Sequence, residues 1–250
     1  MTAHAAIIVG GGPAGLAAAH ELRNNGISDV LVLEREGDAG GIPRHCGHTG
    51  FGLSEFAWPM SGPAYARRIA GLVEPAIHLR STVTAIEPGG ILQVSHPERG
   101  VTTLTARCLL LATGVRETPR GARLVSGTRP FGVMTTGALQ QFVYLTRQRP
   151  CRRMVVIGTE LVSFSVLVTA RHAGIEIAAM IEQGDRITAR NPGHWIAQHL
   201  FGVPVRTRTT LTAIHGGAHV ESVEIESNGR RELIPCDGVV FTGQFQPENA

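Results

Sequence analysis

A glycine-rich turn followed at a fixed distance by an acidic residue occurs twice in this chain. The first copy, IIVGGGPAGLAAAHEL, sets Gly10, Gly12 and Gly15 in the spacing GxGxxG and reaches Glu34 at the end of VLVLE. The second, MVVIGTELVSFSVLVTARHAG, keeps Gly158 but carries Glu160 and Ser163 at the next two glycine positions, and reaches Glu182 at the end of IAAMIE. The interval is 24 residues both times, from 10 to 34 and from 158 to 182. An apolar strand, a tight turn, a helix and a second strand fit that interval as one βαβ unit. A chain of 250 residues has room for two such units, each with its own core.

The hydrophobic pattern gives each copy the same plan. AAIIV (5 to 9) reads as a strand buried on both faces, a helix over 14 to 24 carries Leu16, Ala19, Leu22 and Arg23 at helical spacing up to Gly26, and 30 to 34 returns as a strand. A helix beginning near Pro63 follows, and then strands broken at Pro88-Gly89-Gly90 and Pro97-Glu98-Arg99-Gly100 lead to an apolar strand, Cys108 to Ala112. The second half has a strand at 153 to 157, a helix at 160 to 172, a strand at 175 to 181, a meander with turns at Gly216-Gly217 and Asn228-Gly229, and a last strand in CDGVVFTG. Both halves thus end in an apolar strand reaching Thr-Gly. The expected fold class is α/β, two Rossmann-like three-layer domains each with a β-meander, divided as 1 to 122 and 123 to 250, with a connector helix in TGALQQFVYLTR.

The three glycines of the first copy have separate physical tasks. Gly10 permits the sharp turn out of the strand, Gly12 removes a side chain where backbone must approach a pyrophosphate, and Gly15 lets the helix pack onto the strand. The helix N-terminus then presents amide donors to phosphate oxygens, and Glu34 accepts from ribose hydroxyls. Candidate dinucleotide contacts are therefore Gly10, Gly12, Pro13, Ala14, Gly15, Glu34 and Arg35. In the second copy Glu160 puts a side chain and a negative charge where phosphates would lie, so ordinary NAD(P) binding is disfavoured there. Gly158 and Glu182 survive, leaving room for an adenine nucleotide in a repurposed pocket.

Composition narrows the chemistry. All 23 basic residues are arginines, which excludes a lysine Schiff base and a phosphate-binding Walker lysine. The net charge of +3 is spread without a basic run interleaved with aromatics, which argues against nucleic acid as a partner. Cys46, Cys108, Cys151 and Cys236 form no CxxC and no metal-ligand cluster, so no metal site is expected and a reduced, cytoplasmic setting fits. No apolar run of 18 residues is present, so no transmembrane segment is expected.

The stretch from Gly37 to Gly62 is irregular and glycine-rich, with Gly40, Gly41, Ile42, Arg44, His45, Cys46 and His48 close together. A long loop of this kind inside a compact domain points to function. Gly40-Gly41 reads either as a simple turn or as a close approach to the cofactor. Cys46 reads either as a small packing residue or as a reactive thiol, and it lacks the second cysteine that a CxxxxC redox pair would need. Arg44, His45 and His48 are candidates to place positive charge beside a reduced, anionic cofactor.

Together with the fingerprint, the segments GGIPRHCGHTGFG, GPAYARR, LLATGVRETPR, TTGALQQFVY, GTELVSFS and CDGVVFTGQFQPE resemble the FAD-binding subunits of multi-subunit amine and amino-acid dehydrogenases. That group, within the two-dinucleotide-domain flavoproteins, includes the corresponding subunits of opine oxidase and of hydrogen cyanide synthase, and the α subunit of dye-linked proline or hydroxyproline dehydrogenases. The resemblance covers nearly the whole chain. It implies FAD as cofactor, with contacts also at Gly41, Ile42, Arg44, His45, the Ala112-Thr113-Gly114 turn and, for adenine, the backbone of Val83; His45 and Cys46 are the flavin-side candidates for chemistry. It further implies, as partners, a small iron-sulfur protein and an FAD-containing oxidase subunit, with any membrane association arising through them. The family pattern continues past the second Thr-Gly into a segment that completes the FAD site. This sequence stops at Ala250, so the expectation is that it is a fragment or that another chain completes the FAD site. A self-contained NAD(P)H-dependent flavin reductase and a non-catalytic nucleotide-binding scaffold are the rival readings.

Overall fold

The computed structural model describes residues 3–189 and 193–248. They divide into two compact units, one running to Val115 and resuming at Pro247, the other comprising Arg116–Gln246. The division thus falls at 115/116 and not at the expected 122/123, and the chain returns to the first unit at its C-terminal residues. The segment 116 to 128 is held together by Arg120, which donates to the Val125 and Ser126 carbonyls, and tied to the rest of the second unit by Arg123, which donates to the Thr242 and Gly243 carbonyls.

In the first unit the elements in chain order are β1 (Ala3–Val9), α1 (Pro13–Asn24), β2 (Val30–Leu33), β3 (Thr49–Phe51), α2 (Leu53–Phe56), β4 (Met60–Ser61), α3 (Gly62–Gly71), β5 (Ile77–His78), β6 (Thr82–Glu87), β7 (Ile91–His96) and β8 (Gly100–Leu111). Their main sheet has the order β5-β2-β1-β8-β7-β6. β1 pairs in parallel with β2 and with β8, whereas β7 and β6 are antiparallel additions. Strand β8 is longer than the apolar run Cys108 to Ala112 suggests, because its polar first half pairs with β7. Alternation along β1 and β2 fills two layers. Ala6, Ile8, Val30 and Val32 pack with Leu16, Ala19, Tyr65 and Ile69 of α1 and α3, while Ile7, Leu31 and Leu33 pack with Leu92, Val94 and Ala106. Each fully buried aliphatic side chain contributes roughly 1.5–3 kcal/mol, so these two layers, more than helix propensity, hold the unit together.

The second unit begins at β9 (Val115–Glu117), whose first residue closes the first unit, and continues with β10 (Ser126–Gly127), β11 (Val133–Thr135), α4 (Thr136–Gln140), β12 (Arg153–Ile157), α5 (Leu161–Ala173), β13 (Glu176–Ile181), α6 (Gly193–Trp195), β14 (Val205–Arg206), β15 (Thr209–His215), β16 (Ser222–Ser227), β17 (Arg230–Pro235), β18 (Gly238–Phe241) and β19 (Phe245–Pro247). A parallel sheet of order β11-β18-β12-β13-β14 carries the core, a second sheet of order β10-β15-β16-β17 holds the meander, and β9 pairs with β19. Met154, Val156, Met180 and Val240 face Leu139, Val166, Leu167 and Ala170 on the helical side. Val155, Ala179, Ile181, Val239 and Phe241 face the meander residues Ile214, Val223, Ile225 and Ile234. Helix α5 ends at Gly174 in the left-handed conformation (φ 65°), as a C-terminal glycine stop should. The connector helix expected over TGALQQFVYLTR is shorter than its pattern: α4 stops at Gln140 and residues 141–145 form a π-helical turn.

Candidate functional site

Open α/β sheets receive ligands at the carboxyl ends of their strands, where the chain order reverses. In the first unit that point lies between β1 and β8. The Gly10 amide donates to the Leu33 carbonyl at 2.9 Å, and the Ala112 amide to the Val9 carbonyl at 2.8 Å. Gly10 has φ +111°, and a Cβ there would stand 2.3 Å from the Ala112 carbonyl oxygen. A Cβ on Gly15 would stand 2.0 Å from the Gly10 carbonyl oxygen, so this glycine is required by helix packing. Gly12 is different. Its Cβ would meet only the Cα of Gly41, 3.9 Å away, which leaves open space above the turn.

That open space is the observation that tests a dinucleotide. Pro13 occupies the first turn of α1, Ala14 beside it is exposed, and no side chain caps the helix. The first-turn amides are therefore left for an outside acceptor, and an anion suits them. Glu34 is buried. Its Oε2 accepts the Gly11 amide at 2.9 Å and its Oε1 the Glu36 amide at 2.8 Å, leaving further lone pairs on each oxygen for hydroxyl donors. The floor, the helix end and the acid fit a pyrophosphate and an adjoining ribose.

The other expected residues are distributed around this turn. The Gly40 amide donates to the Gly11 carbonyl at 2.7 Å, and a Cβ on Gly41 would stand 2.9 Å from the Gly12 Cα, so the Gly40-Gly41 pair makes a close backbone approach. Ile42 is exposed beside it. Arg35 is largely exposed and lies 3.5 Å from Glu248 and 3.7 Å from Glu36. Thr113 and Gly114 follow Ala112 as exposed backbone, and the Gly114 carbonyl accepts the Glu248 amide at 3.0 Å. Val83 packs its side chain into the layer containing Leu33, and two residues earlier the Ser81 amide bonds the Glu34 carbonyl. Its strand therefore starts beside the acid.

Two expectations for the segment from 37 to 62 need correction. It is built of elements: a 3-10 turn Ile42–His45, the β3 and β4 pair, and α2. Their shortness, two to four residues each, hides them from periodicity. His45 does not carry positive charge at neutral pH. Burial, assisted by the neighbouring Arg44 charge, pushes its pKa down to about 4. The Arg44 guanidinium is directed to Asp38, 3.2 Å away. Cys46 is buried, with its Sγ 3.4 Å from the Ile42 carbonyl oxygen, and a Cβ on Gly62 would come within 3.0 Å of its own Cβ. These contacts suit the first of the two readings of Cys46, a small packing residue. No group of three or more potential metal ligands occurs among the described residues.

The second unit repeats the frame and changes its contents. The Gly158 amide donates to the Ile181 carbonyl at 2.9 Å. Glu160 does not cap α5; its carboxylate lies over the turn, with Oε1 2.9 Å from Thr242 Oγ1. Ser163 is fully buried, its hydroxyl turned onto the Glu160 carbonyl, so the third glycine position tolerates a small polar side chain. Glu182 differs from the expected acid open to a ribose. Oε2 takes the hydroxyls of Thr159 and Thr188, and Oε1 takes the Gly184 amide at 3.0 Å. Sequence reasoning missed Thr159, Thr188 and Thr242. Thr159 left a signal in GTE, which stands where the first copy has GGG, and Thr242 in the Thr-Gly that ends the last strand, whereas Thr188 left none.

Two units with a dinucleotide-type turn at each switch point define an oxidoreductase fold of the two-nucleotide class. The chain belongs to the pyridine nucleotide-disulphide oxidoreductase family, whose model matches residues 4–248 and whose flavoprotein members bind FAD. It is 25% identical to the alpha subunit of sarcosine oxidase from Rhizobium meliloti (strain 1021), over 96% of this chain and 24% of that protein. It is 29% identical to hydrogen cyanide synthase subunit HcnB of Pseudomonas protegens, over 70% of this chain and 38% of that protein. The chain thus spans well under half the length of these two relatives, which belong to the group expected from its motifs. Its fold is similar to that of thioredoxin reductase from T. acidophilum, with TM-score 0.77 and 20% identity over 99% of this chain and 79% of that one. No helix among the described residues is long and apolar enough to cross a membrane.

Proposed function

We propose that the chain is an FAD-binding, electron-transferring subunit of an amine or amino-acid dehydrogenase complex. The observation that carries this reading is the pair of crevices: one open and lined by backbone at Gly12, the other filled by the Glu160 carboxylate. In the first, the α1 amides and the Gly12 backbone would hold the pyrophosphate and Glu34 the ribose. The Val83 backbone would meet adenine, and Gly41, Ile42 and the Ala112 to Gly114 turn would line the flavin side. Bound FAD supplies reversible two-electron and one-electron chemistry. The chain's own part is to orient it and to keep a nicotinamide donor away, which leaves electrons to arrive from a partner.

The sarcosine oxidase and hydrogen cyanide synthase relatives are both named as subunits, which supports a multi-subunit setting. The partners of this reading are a small iron-sulfur protein and an FAD-containing oxidase subunit in the cytoplasm. The test is anaerobic mixing of the FAD-loaded protein with NADH or NADPH, followed by addition of co-purified partner and amino-acid substrates. Flavin bleaching only after partner and substrate are both present supports the proposal. Rapid stoichiometric bleaching by NADH or NADPH alone makes the chain a self-contained reductase instead. A colourless protein that takes up no FAD leaves only the scaffold reading.

A further inference from the structure

We propose that the second nucleotide crevice is latent and not dismantled, and that Glu160 is the residue that keeps pyrophosphate-linked dinucleotides out of it, by filling the space with its own side chain. The inference rests on the reading above that the second unit does not bind a nicotinamide nucleotide, and adds that the frame beneath Glu160 is intact and that the volume of this one side chain closes it.

The frame of the crevice is intact. Gly158 has φ +120° where Gly10 has +111°, and each donates its amide across to the neighbouring strand at 2.9 Å. Each acid takes the amide two residues on with its Oε1, at 2.8 Å for Glu34 and 3.0 Å for Glu182. The sheet order β11-β18-β12-β13-β14 puts the reversal between β12 and β18, as it lies between β1 and β8 in the first unit. Helix α5 is 13 residues long, packs normally despite Ser163, and has no side-chain cap on its first amides.

What differs is the filling. A Cβ on Gly158 would stand 2.6 Å from Glu160 Oε2, and one on Gly243 would stand 1.8 Å from Glu160 Oε1. The carboxylate therefore lies against the α-carbons of both glycines, in the volume that their missing side chains leave. Thr242 fixes it there. Thr242 Oγ1 is 2.9 Å from Glu160 Oε1 and 3.0 Å from the Ile157 carbonyl oxygen, and Arg123 ties the same turn by donating to the Thr242 and Gly243 carbonyls at 2.8 and 2.9 Å. Glu160 itself has ordinary extended backbone, φ −70° and ψ 170°, which glycine or alanine adopts equally well. Thr188, which covers Glu182, is exposed and can yield its hydrogen bond to a ribose hydroxyl.

The experiment is isothermal titration of wild type, E160G, E160A and E160Q with NADH and with ADP-ribose. Circular dichroism and retained FAD content report the fold. Wild type is expected to show no saturable binding, and E160G and E160A to bind both probes at least tenfold more tightly. E160Q keeps the volume and the Thr242 contact, so it is expected to stay closed. Folded E160G and E160A that bind no better than wild type overturn the inference and leave the FAD-subunit reading standing. E160Q opening as far as E160G overturns it too, because charge and not filling would then be the barrier. Saturable NADH binding by wild type overturns the reading beneath both.

Discussion

A side chain at Gly12 would find open space, its nearest neighbour the Gly41 Cα at 3.9 Å, whereas the residue at the same place in the second unit, Glu160, lies against two glycines and a threonine. The two turns otherwise share their cross-strand amide bond and the i to i+2 bond of the acid. The backbone frame of the turn is therefore kept in the second unit although its glycine pattern is not. The backbone frame depends on the first glycine and on the packing of the two strands, and both units keep these. The proposed difference in occupancy rests on what stands at the second glycine position, and there they part.

Moving the side chain across should break the comparison most severely. Gly12→Glu introduces no backbone strain, since Gly12 has φ −80°, and places a carboxylate before the α1 amides. Two like charges about 4 Å apart cost roughly 4 kcal/mol at an effective dielectric of 20, so FAD affinity should fall at least ~100-fold. The visible absorbance of the purified variant measures this, and retention of stoichiometric FAD would refute it.

Gly15→Ala should damage the first unit's frame itself. Its Cβ would stand 2.0 Å from the Gly10 carbonyl oxygen, and relief by backbone shift should cost roughly 2–4 kcal/mol in urea unfolding. Ser163→Ala at the matching place should change stability by under ~1.5 kcal/mol, because it deletes only a hydroxyl bonded within its own turn. Equal losses at the two sites would contradict the assignment of packing to the third glycine in the first unit alone.

His45 sharpens the contrast through pH. Its folded pKa is pushed down to about 4 from 6.5, so the unfolded chain binds a proton in this window that the native chain does not. Stability should therefore be full above pH ~6.5 and fall progressively towards pH ~4, by up to about 3 kcal/mol. His45→Gln should flatten that component in unfolding curves taken at pH 7.5, 5.5 and 4.5. An unchanged slope would mean that His45 is protonated in the native protein.

The smallest effect is expected at the second crevice. Thr242→Val removes one hydroxyl shared between Glu160 and the Ile157 carbonyl, for a loss of about 1 kcal/mol in unfolding and no change in FAD content. A loss of FAD would show that this turn supports the first site.

Much of the frame was legible in the chain. Strand β12 spans the residues its apolar run indicates, 153 to 157, and the turns at Pro88-Gly89-Gly90 and Asn228-Gly229 lie where glycine and proline place them. Such features depend on neighbours in sequence, which pattern reading sees. The division at 115/116 was not legible, because it rests on Arg123 reaching carbonyls 119 and 120 residues away. The charge on His45 was misread for a related reason, since a histidine's burial is decided by what folds over it. In the proposed site, glycine spacing pointed to the open turn at Gly12, and Glu160 to a side chain over the matching turn of the second unit. The means of closure, through Thr242 and Gly243, depends on a strand whose relation to the turn appears only in the fold.

Native mass spectrometry of the purified chain, incubated with FAD, NADH and NADPH together, tests the contrast between the crevices most directly. One FAD per chain and no nicotinamide nucleotide is the predicted result. A species carrying NADH or NADPH beside FAD, or one carrying a nicotinamide nucleotide and no FAD, would contradict it.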